Sequence, residues 1–147
     1  MRVSVLIALL GAPALVSAAP LQSVGSPAAA KQTVERYYAA IDRGDFRAAY
    51  QTWDGNGAAS GKSYAAFRQG FAATARSRVV TGTPVNGDAG MSQRWIDVPV
   101  DVYATLKNGT RQHFRGRYTL HRVVEGTGAP VAKTRWHIAS AKLVAVR

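Results

Sequence analysis

Residues 95–124 read WIDVPVDVYATLKNGTRQHFRGRYTLHRVV, which is two long alternating runs on either side of Lys107-Asn108-Gly109. Apolar and polar residues that alternate strictly predict strands with one buried face and one exposed face. A short connection that contains glycine predicts that two such strands fold back on each other as a β-hairpin. This hairpin decides the fold, because its register fixes which side chains face the interior.

The length of the hairpin loop decides that register. A two-residue Asn-Gly loop would place Val102 opposite Arg115 and so mix valines with arginines on one face. A three-residue Lys-Asn-Gly loop, with Gly109 in the left-handed conformation, gathers the apolar residues on one face instead. A shift of one residue turns every side chain to the other face, so burial favours the three-residue loop. We therefore predict this register, in which Asp101 lies opposite Arg115.

The two faces of the hairpin differ in chemical character in this register. The face predicted to pack on the helices carries Ile96, Val98, Val100, Val102, Phe114, Gly116, Tyr118 and Leu120. The face predicted to meet solvent carries Trp95, Asp97, Pro99, Asp101, Tyr103, His113, Arg115, Arg117, Thr119 and His121. Tyr118 is thus the only titratable residue expected on the buried face of the paired stretch.

Three helices are predicted before the hairpin. Ser26, Asp45 and Ser63 are suited to cap their N-termini, because a short oxygen-bearing side chain accepts hydrogen bonds from the first free amides. Gly44 is predicted to end the first helix, and the third is expected to end near residue 76. A strand at residues 78–85, a turn at 87–90, the hairpin, a loop at 126–130 and a last strand at 131–146 follow. Helices followed by antiparallel strands predict an α+β fold.

The N-terminus has the pattern of a secretory signal peptide over residues 1–18. Arg2 precedes an apolar run, and Val16-Ser17-Ala18 is a small-residue cleavage site. The run is too short, and too interrupted by Gly11 and Pro13, to predict a membrane span. We therefore expect a signal peptide at 1–18, a flexible tether at 19–25, a single domain at 26–147, and a periplasmic or extracellular location.

The composition limits the chemistry that the chain can support. Lys and Arg number 19 against 8 Asp and Glu, which gives a net charge of +11 and favours attraction to anionic surfaces. The absence of cysteine excludes disulfides, thiol catalysis and thiolate metal sites. No cofactor is indicated. A nucleic-acid partner is hard to reconcile with export, whereas an anionic partner in the cell envelope is not.

Several stretches together resemble a known family. YYAAIDRGDF at residues 37–46, GRYTL at 116–120 and WHI at 136–138 resemble the nuclear transport factor 2-like (cystatin-like) superfamily, in particular its uncharacterised secreted bacterial members. The resemblance implies a cone, in which N-terminal helices pack in the concave face of a curved antiparallel sheet that often encloses an apolar pocket. It also implies a range of roles, which includes steroid isomerases, polyketide cyclases and non-catalytic binders.

Two sets of residues are candidates for binding. A pocket between helices and sheet, suited to a small apolar ligand, would be lined by Tyr37, Tyr38, Trp53, Phe67, Phe71, Tyr118 and Trp136. Their helical and strand spacing equally predicts ordinary core residues, and that interpretation is favoured. A basic sheet face suited to an anionic partner would carry Arg111, Arg115, Arg117, Lys133 and Arg135.

A catalytic or metal site has less support in the sequence. An enzyme in this fold would need a carboxylate or histidine in the pocket as a general base, and only Asp54 is expected near its mouth. A turn or helix-terminal role for Asp54 is favoured over that one. His113 and His121 are eight residues apart on one strand, about 26 Å at the rise of a strand, so they are not expected to share a metal ion.

We therefore predict an exported, non-catalytic binding or interaction domain that uses the aromatic pocket, the basic sheet face or both. The alternative is a small-molecule enzyme of isomerase or cyclase type that uses Asp54 or a pocket tyrosine. Because a cationic sheet face repels its own copy, a monomer or a weak homodimer is expected.

Overall fold

Three helices precede five antiparallel strands in the computed structural model, which describes residues 11, 13, 14 and 23–147. The helices are α1 (Pro27–Asp42), α2 (Phe46–Gln51) and α3 (Tyr64–Gln69). The strands are β1 (Thr74–Thr81), β2 (Val85–Gly90), β3 (Gln93–Leu106), β4 (Arg111–Val123) and β5 (His137–Ala145). The predicted cleavage site and all of the predicted signal peptide except residues 11, 13 and 14 lie outside the described residues. No described helix is long and apolar enough to cross a membrane.

The predicted helix caps are confirmed. The side chain of Ser26 accepts a hydrogen bond from the Ala29 amide at 3.1 Å, and Asp45 and Ser63 cap α2 and α3 in the same way. Gly44 follows α1 with a φ of 78°, a left-handed conformation that glycine adopts without strain. Each cap satisfies an amide that would otherwise lack a partner, which is worth about 1 kcal/mol.

The five strands form one sheet in the order β1-β3-β4-β5, and β2 pairs with the start of β3 on the same side as β1. After α2, the residues around Trp53 join the free edge of β5 through a parallel bridge to Ile138. Helices that pack on one face of an antiparallel sheet form the predicted α+β architecture.

The predicted hairpin register is confirmed. Val98 pairs with Tyr118, and Asp101 pairs with Arg115, as the three-residue loop requires. The Gly109 amide donates to the Leu106 carbonyl at 2.9 Å, and Gly109 has a φ of 87°. The loop therefore uses a glycine in the left-handed region, and the apolar face of both strands turns towards the helices.

The core lies between that inner sheet face and α1. Val34, Val98, Leu120 and Ile138 are fully buried, and burial of each such side chain contributes about 1.5–3 kcal/mol. The inner face continues beyond Leu120 to Arg122, which is itself buried. The Arg122 side chain donates to the Thr134 carbonyl at 2.8 Å and lies 2.5 Å from the Glu125 carboxylate.

Three predictions between α3 and the hairpin are wrong in their bounds. The strand expected at 78–85 is β1, which runs from Thr74 to Thr81. The third helix ends at Gln69 rather than near residue 76, because Gly70 follows it and the next residues turn back into β1. The predicted turn at 87–90 is part of β2. The chain reverses instead at Met91 and Ser92, whose positive φ values of 44° and 70° form a tight two-residue connection.

The predicted last strand begins too early. Val131–Thr134 form a short 3-10 helix, and β5 starts only at His137. Pro130 has no backbone N–H to donate to a neighbouring strand, and the Thr134 carbonyl accepts a hydrogen bond from the Arg122 side chain instead of from a strand. Lys133 and Arg135 therefore do not lie on the sheet, and their predicted place in the basic sheet face is wrong.

Candidate functional site

The aromatic residues predicted to line a pocket pack against one another. The rings of Tyr37 and Tyr38 meet edge to face with centroids 5.1 Å apart, and Tyr118 lies 5.9 Å from both. Trp53 lies 6.3 Å from Tyr37 and from Tyr118. Phe67 and Trp136 are buried as well, and Phe71 packs on Phe67 and Phe46. The space in which a small apolar ligand was expected is occupied by the rings expected to line it.

Two phenol hydroxyls meet in this core. The hydroxyl oxygens of Tyr38 and Tyr118 lie 2.5 Å apart. Burial raises the pKa of Tyr38 to about 12, although its hydrogen bond with Tyr118 lowers it in part. Burial also raises the pKa of Tyr118 well above its ordinary value, and the neighbouring phenols add to the effect. Both groups are therefore neutral at physiological pH. The buried polar and charged residues of the described chain include no carboxylate and no histidine: Thr33, Ser77, Arg122 and Thr134.

Asp54 does not lie at the mouth of an interior pocket, so this prediction is wrong. Its amide donates to the Ile138 carbonyl at 2.8 Å, which extends the edge of the sheet. Trp53 then points inward and Asp54 points to the outer face, because successive side chains of a strand alternate. There the Asp54 carboxylate lies 2.7 Å from Nδ1 of His121. The other ring nitrogen of His121 contacts Gln93 Oε1, so both nitrogens are occupied.

The second histidine of the outer face is also held by a carboxylate. His113 Nε2 and Arg115 Nε lie 2.6 Å and 2.9 Å from the same oxygen of Asp101. Hydrogen bonds from His113 and Arg115 hold the pKa of Asp101 below its ordinary value. The ring of Tyr103 stacks on His113 at 4.3 Å. Within residues 23–147, no group of three or more His, Asp or Glu side chains is arranged to hold a metal ion.

A broad depression of about 720 Å³ lies on the outer face between β2 and β5, and we call it the outer basin. Arg115, Arg117 and Lys142 supply its charge, and Pro99 supports its floor. It is lined by Val85, Asn86, Pro99, Arg115, Gly116, Arg117, Ala141, Lys142, Leu143 and Val144. Two of the five residues predicted for the basic face thus line one concave site, and Arg111 lies near the hairpin loop, in a separate groove with Arg76 and Arg78.

Two carboxylates offset part of the charge in the outer basin: Asp101, which pairs with Arg115, and Asp97. Asp97 accepts hydrogen bonds from Asn86 and Thr119 and lies 3.7 Å from Arg117. Burial raises the pKa of Asp97, but these hydrogen bonds and the charges of Arg117 and Lys142 outweigh it and leave the pKa below the ordinary value. Asp97 is therefore ionised and positions the Arg117 side chain, while Lys142 makes no ion pair with the described residues.

Sequence reasoning missed Lys142 as a member of this site. Lys142 pairs with Arg117 across β4 and β5, so its side chain points to the same face. The alternation of the last strand carries that signal, since a residue opposite an outward arginine is itself outward. Nothing in the sequence predicted that Val85 and Asn86 of β2 line the outer basin, because the glycine-rich sequence of β2 predicts a turn.

A second groove, of about 610 Å³, lies among α1, α2 and the segment that precedes β5, and we call it the Trp136 groove. Arg36 and Arg135 are its cationic residues. It is lined by Ser23, Val24, Ala29, Gln32, Thr33, Arg36, Ala48, Gln51, Thr52, Ala132, Arg135, Trp136 and His137. Of the seven aromatic residues predicted to line a pocket, Trp136 alone borders this groove.

Known structures share the arrangement of helices and sheet. The Kfla4162 protein from Kribbella flavida matches with a TM-score of 0.54 and 17% identity, over 82% of this chain and 91% of that chain. A protein from Novosphingobium aromaticivorans, named as a proposed aromatic ring hydroxylase, matches with a TM-score of 0.52 and 14% identity, over 82% of this chain and 96% of that chain. The chain shares its α+β fold with these two structures.

The resemblance implied N-terminal helices packed on one face of an antiparallel sheet, and this α+β arrangement is confirmed. A nuclear transport factor 2-like superfamily protein from Salmonella enterica serovar Typhimurium also matches, with a TM-score of 0.49 and 14% identity over 78% of this chain and 87% of that chain. No protein-family model matches the sequence, and no curated protein matches it. At identities this low the likeness concerns the fold alone, and the activity has to be argued from the sites of this chain.

Proposed function

We propose that this protein is an exported, non-catalytic binding domain that attaches to anionic lipid through the outer basin. The observation that carries the proposal is the mixture of cationic and exposed apolar side chains in one concave site on the sheet. An anionic lipid joins a negatively charged head group to apolar chains, so it matches both components of that mixture. The excess of positive charge over the whole chain, +11, draws the protein towards such a surface.

The cations of the outer basin have donors left for a head group. Arg115 and Arg117 each contact one carboxylate, and a guanidinium has further N–H groups that a single carboxylate does not use. Both side chains are at least half exposed, so their free edges are accessible. Lys142 adds an ammonium with no carboxylate partner in the described chain. These groups suit phosphate oxygens, which accept several hydrogen bonds at once.

The apolar residues of the outer basin favour lipid over a purely charged envelope polymer. Val144 is 69% exposed and Val85 is 45% exposed, on opposite sides of the cations. Exposed apolar side chains close to cations gain little from a hydrated polymer, but they lose contact with water at a lipid interface.

The enzyme alternative has less support. A buried general base is the minimum requirement for an isomerase or cyclase reaction inside the cone. Asp54 is paired with His121 on the outer face, and the buried phenols of Tyr38 and Tyr118 remain neutral. A binding role needs none of these groups to react.

The proposed location rests on residues 1–18, whose charge and apolar pattern are those of a signal peptide. We expect the mature protein to begin at Ala19. N-terminal sequencing of the protein recovered from the periplasm or the medium of its host checks this. A chain that is found in the cytoplasm and still begins at residue 1 or 2 would contradict export.

Co-sedimentation with vesicles tests the binding proposal. We expect binding to phosphatidylcholine vesicles that contain phosphatidylglycerol, and little binding to phosphatidylcholine alone. Lys142→Gln should weaken the partition coefficient by about fivefold, because one lysine near an anionic surface contributes about 1 kcal/mol. Val144→Ser should also lower the partition coefficient, although it leaves the net charge unchanged. Added salt should weaken binding of the unchanged protein, because it screens the charges.

Lys62→Gln is the matched control, since it makes the same change in charge on an exposed residue outside the outer basin. Equal loss of binding in Lys62→Gln and Lys142→Gln would mean that net charge alone is responsible, and the outer basin would then not be the site. Binding to soluble polyglutamate that matches binding to the anionic vesicles would replace lipid with an anionic polymer.

A further inference from the structure

The Trp136 groove lies away from the outer basin and carries positive charge of its own. Arg36 projects into it from α1, and Arg135 projects from the segment that precedes β5. Both arginines are exposed, and neither lies within ion-pair distance of a carboxylate in residues 23–147. Arg36 uses one nitrogen in a 3.4 Å hydrogen bond to Thr33 Oγ1. A guanidinium has five N–H donors, so both arginines keep donors for an anion that enters the groove.

The distribution of acidic residues explains why this charge is not neutralised. The chain has 8 acidic residues, and none of them lines the groove. Six of them form ion pairs elsewhere: Asp42, Asp45, Asp54, Asp97, Asp101 and Glu125. The other two, Glu35 and Asp88, accept hydrogen bonds from Thr81 and from the Ala89 amide. An anion in the groove thus meets two cations and no competing carboxylate.

Two of the neutral polar side chains that line the groove already donate hydrogen bonds within the protein, and two others are exposed. Thr33 and Thr52 already donate their hydroxyl protons to the carbonyls of Ala29 and Ala48, at 2.9 Å and 3.0 Å. The amide groups of Gln32 and Gln51 are exposed on the two helices. A bound anion would therefore be contacted by the arginines and by these two amides, since the threonine protons are taken.

The apolar wall of the groove is fixed before any ligand binds. The Trp136 indole Nε1 donates to the Ser26 carbonyl at 3.0 Å, and the Arg122 guanidinium lies 5.7 Å from the centre of its ring. Ala29, Ala48 and Ala132 form the rest of that wall, and their short side chains leave the space open. A volume of about 610 Å³ is in the range of sites for small organic ligands.

We propose that the Trp136 groove binds a small organic anion, with its carboxylate or phosphate held by Arg36 and Arg135 and its apolar body against Trp136. Arginine suits both anions because its planar N–H groups match two oxygens at once. The aromatic wall and the alanines suit a flat or compact apolar group better than a sugar or a fully ionic molecule. This site is independent of the outer basin, so either proposal can fail without the other.

Titration with three related probes tests this site: 2-naphthoate, 1-naphthyl phosphate and the uncharged 2-naphthamide. The reporter is the indole N–H signal of Trp136 in a proton–nitrogen correlation spectrum, assigned with Trp136→Phe. We expect at least one of the anions to shift that signal saturably, and 2-naphthamide to bind more weakly by about tenfold or more, because charge-assisted hydrogen bonds are lost. The stronger of the two anions identifies the head group.

Variants on either side of the groove test whether the two arginines are responsible for binding of the charged probe. Arg36→Gln and Arg135→Gln should each weaken binding of the charged probe by about tenfold, because each removes one charged partner. Ala132→Leu should block binding by filling the space. Arg68→Gln, on the exposed surface of α3, is the control for loss of one positive charge and should leave binding unchanged.

Three results would overturn the proposal. One is the absence of a saturable shift of the Trp136 signal with either anion at millimolar concentration. A second is equal affinity for 2-naphthoate and 2-naphthamide. The third is binding that both arginine variants leave unchanged. Lys142→Gln should not alter naphthoate affinity, because Lys142 lies in the outer basin. The lipid-binding proposal and the groove proposal can therefore fail separately.

Discussion

The hydroxyl oxygens of Tyr38 and Tyr118 lie 2.5 Å apart in the core, although the two residues are 80 positions apart in the sequence. One comes from α1 and the other from β4, so the pair joins the helix to the sheet. Burial raises the pKa of Tyr38 from 10.0 to about 12 and that of Tyr118 well above 10.0. Each therefore favours the unfolded state at pH values where the unfolded chain loses the phenol proton, because the folded chain retains it.

This pair predicts alkaline unfolding. A raised pKa contributes stability that is fully present below the unfolded-state value of 10.0 and is lost as the pH rises through about 12. Each buried phenol should lower the free energy of unfolding by up to about 1.4 kcal/mol per pH unit in that window. We expect part of the phenolate absorbance to appear only together with the loss of circular dichroism.

Tyr118→Phe tests the origin of this effect. It removes one ionising group and leaves the Tyr38 hydroxyl without its partner, which should cost about 1–3 kcal/mol at neutral pH and reduce the slope at high pH. Tyr103→Phe is the control, because Tyr103 is exposed on the outer face and its hydroxyl makes no hydrogen bond in the described chain. Ionisation of all six tyrosines before the circular dichroism changes would contradict the prediction.

Gly116 is expected to be intolerant of any side chain. A Cβ at this position would overlap the carbonyl group of Lys142 on β5, and backbone cannot move aside as a flexible side chain does. Gly116→Ala should therefore destabilise the protein by at least about 1–3 kcal/mol and increase amide exchange in β5. Urea unfolding and hydrogen exchange measure the two effects.

Gly87→Ala provides the comparison for Gly116→Ala. A Cβ on Gly87 would meet open space, and the residue lies in β2. Its effect should stay within about 0.5 kcal/mol of the unchanged protein, as is usual for surface positions. A similarly small effect for Gly116→Ala would show that β4 and β5 separate readily at this point.

Asp42 is predicted to make stability depend on pH in acid. It accepts hydrogen bonds from Arg76 at 3.0 Å and 3.1 Å and from the Ser77 amide at 2.8 Å. The bonds from Arg76 and Ser77 hold its pKa below the ordinary value of 3.8 despite partial burial. A lowered pKa contributes stability that is present above the unfolded-state value and is lost as the pH falls through the folded-state value.

Asp42→Asn should therefore lower the free energy of unfolding at neutral pH by about 1 kcal/mol, since water reaches much of this pair. It should also flatten the loss of stability below about pH 4. Urea titrations across the acid range measure both quantities. Asp88→Asn is the control, because Asp88 bonds only to the amide of the next residue. An acid profile that is the same for all three proteins would exclude this role for Asp42.

Arg122 is expected to be a structural residue rather than part of a basic surface. Its side chain is 7% exposed, donates to the Thr134 carbonyl and pairs with Glu125. Arg122→Ala should cost about 2–4 kcal/mol, because it leaves a cavity beside Trp136 and an unpaired carbonyl. Glu125→Gln should cost clearly less than Arg122→Ala, since Glu125 is half exposed and glutamine can still accept the bond. Equal costs for the two variants in urea unfolding would contradict this assignment.

Local signals predicted the parts of the fold that depend on neighbouring residues. Ser26, Asp45 and Ser63 cap helices because each bonds to an amide three residues further on. The hairpin register followed from the three-residue loop and from alternation, both of which are contained within residues 95–124. The outward position of Arg115 and Arg117 followed from the same register, so two of the three cations of the outer basin were accessible from sequence.

Residues that act through distant partners were not accessible in this way. Asp54 pairs with His121, 67 positions away, only because the segment after α2 joins the edge of β5. Arg122 continues the apolar face, and nothing local indicates that Thr134 and Glu125 compensate its burial. Lys133 and Arg135 lie outside the sheet because β5 begins later than alternation predicts.

The sequence by itself determined the helix caps, the hairpin register and the fold class, because hydrogen bonds and periodicity over a few residues specify them. The tertiary structure alone decided that the aromatic rings fill the cone and that the open spaces are the outer basin and the Trp136 groove. The physical reason is packing: whether facing side chains meet or leave a gap depends on the distance between elements, and no single segment encodes that distance.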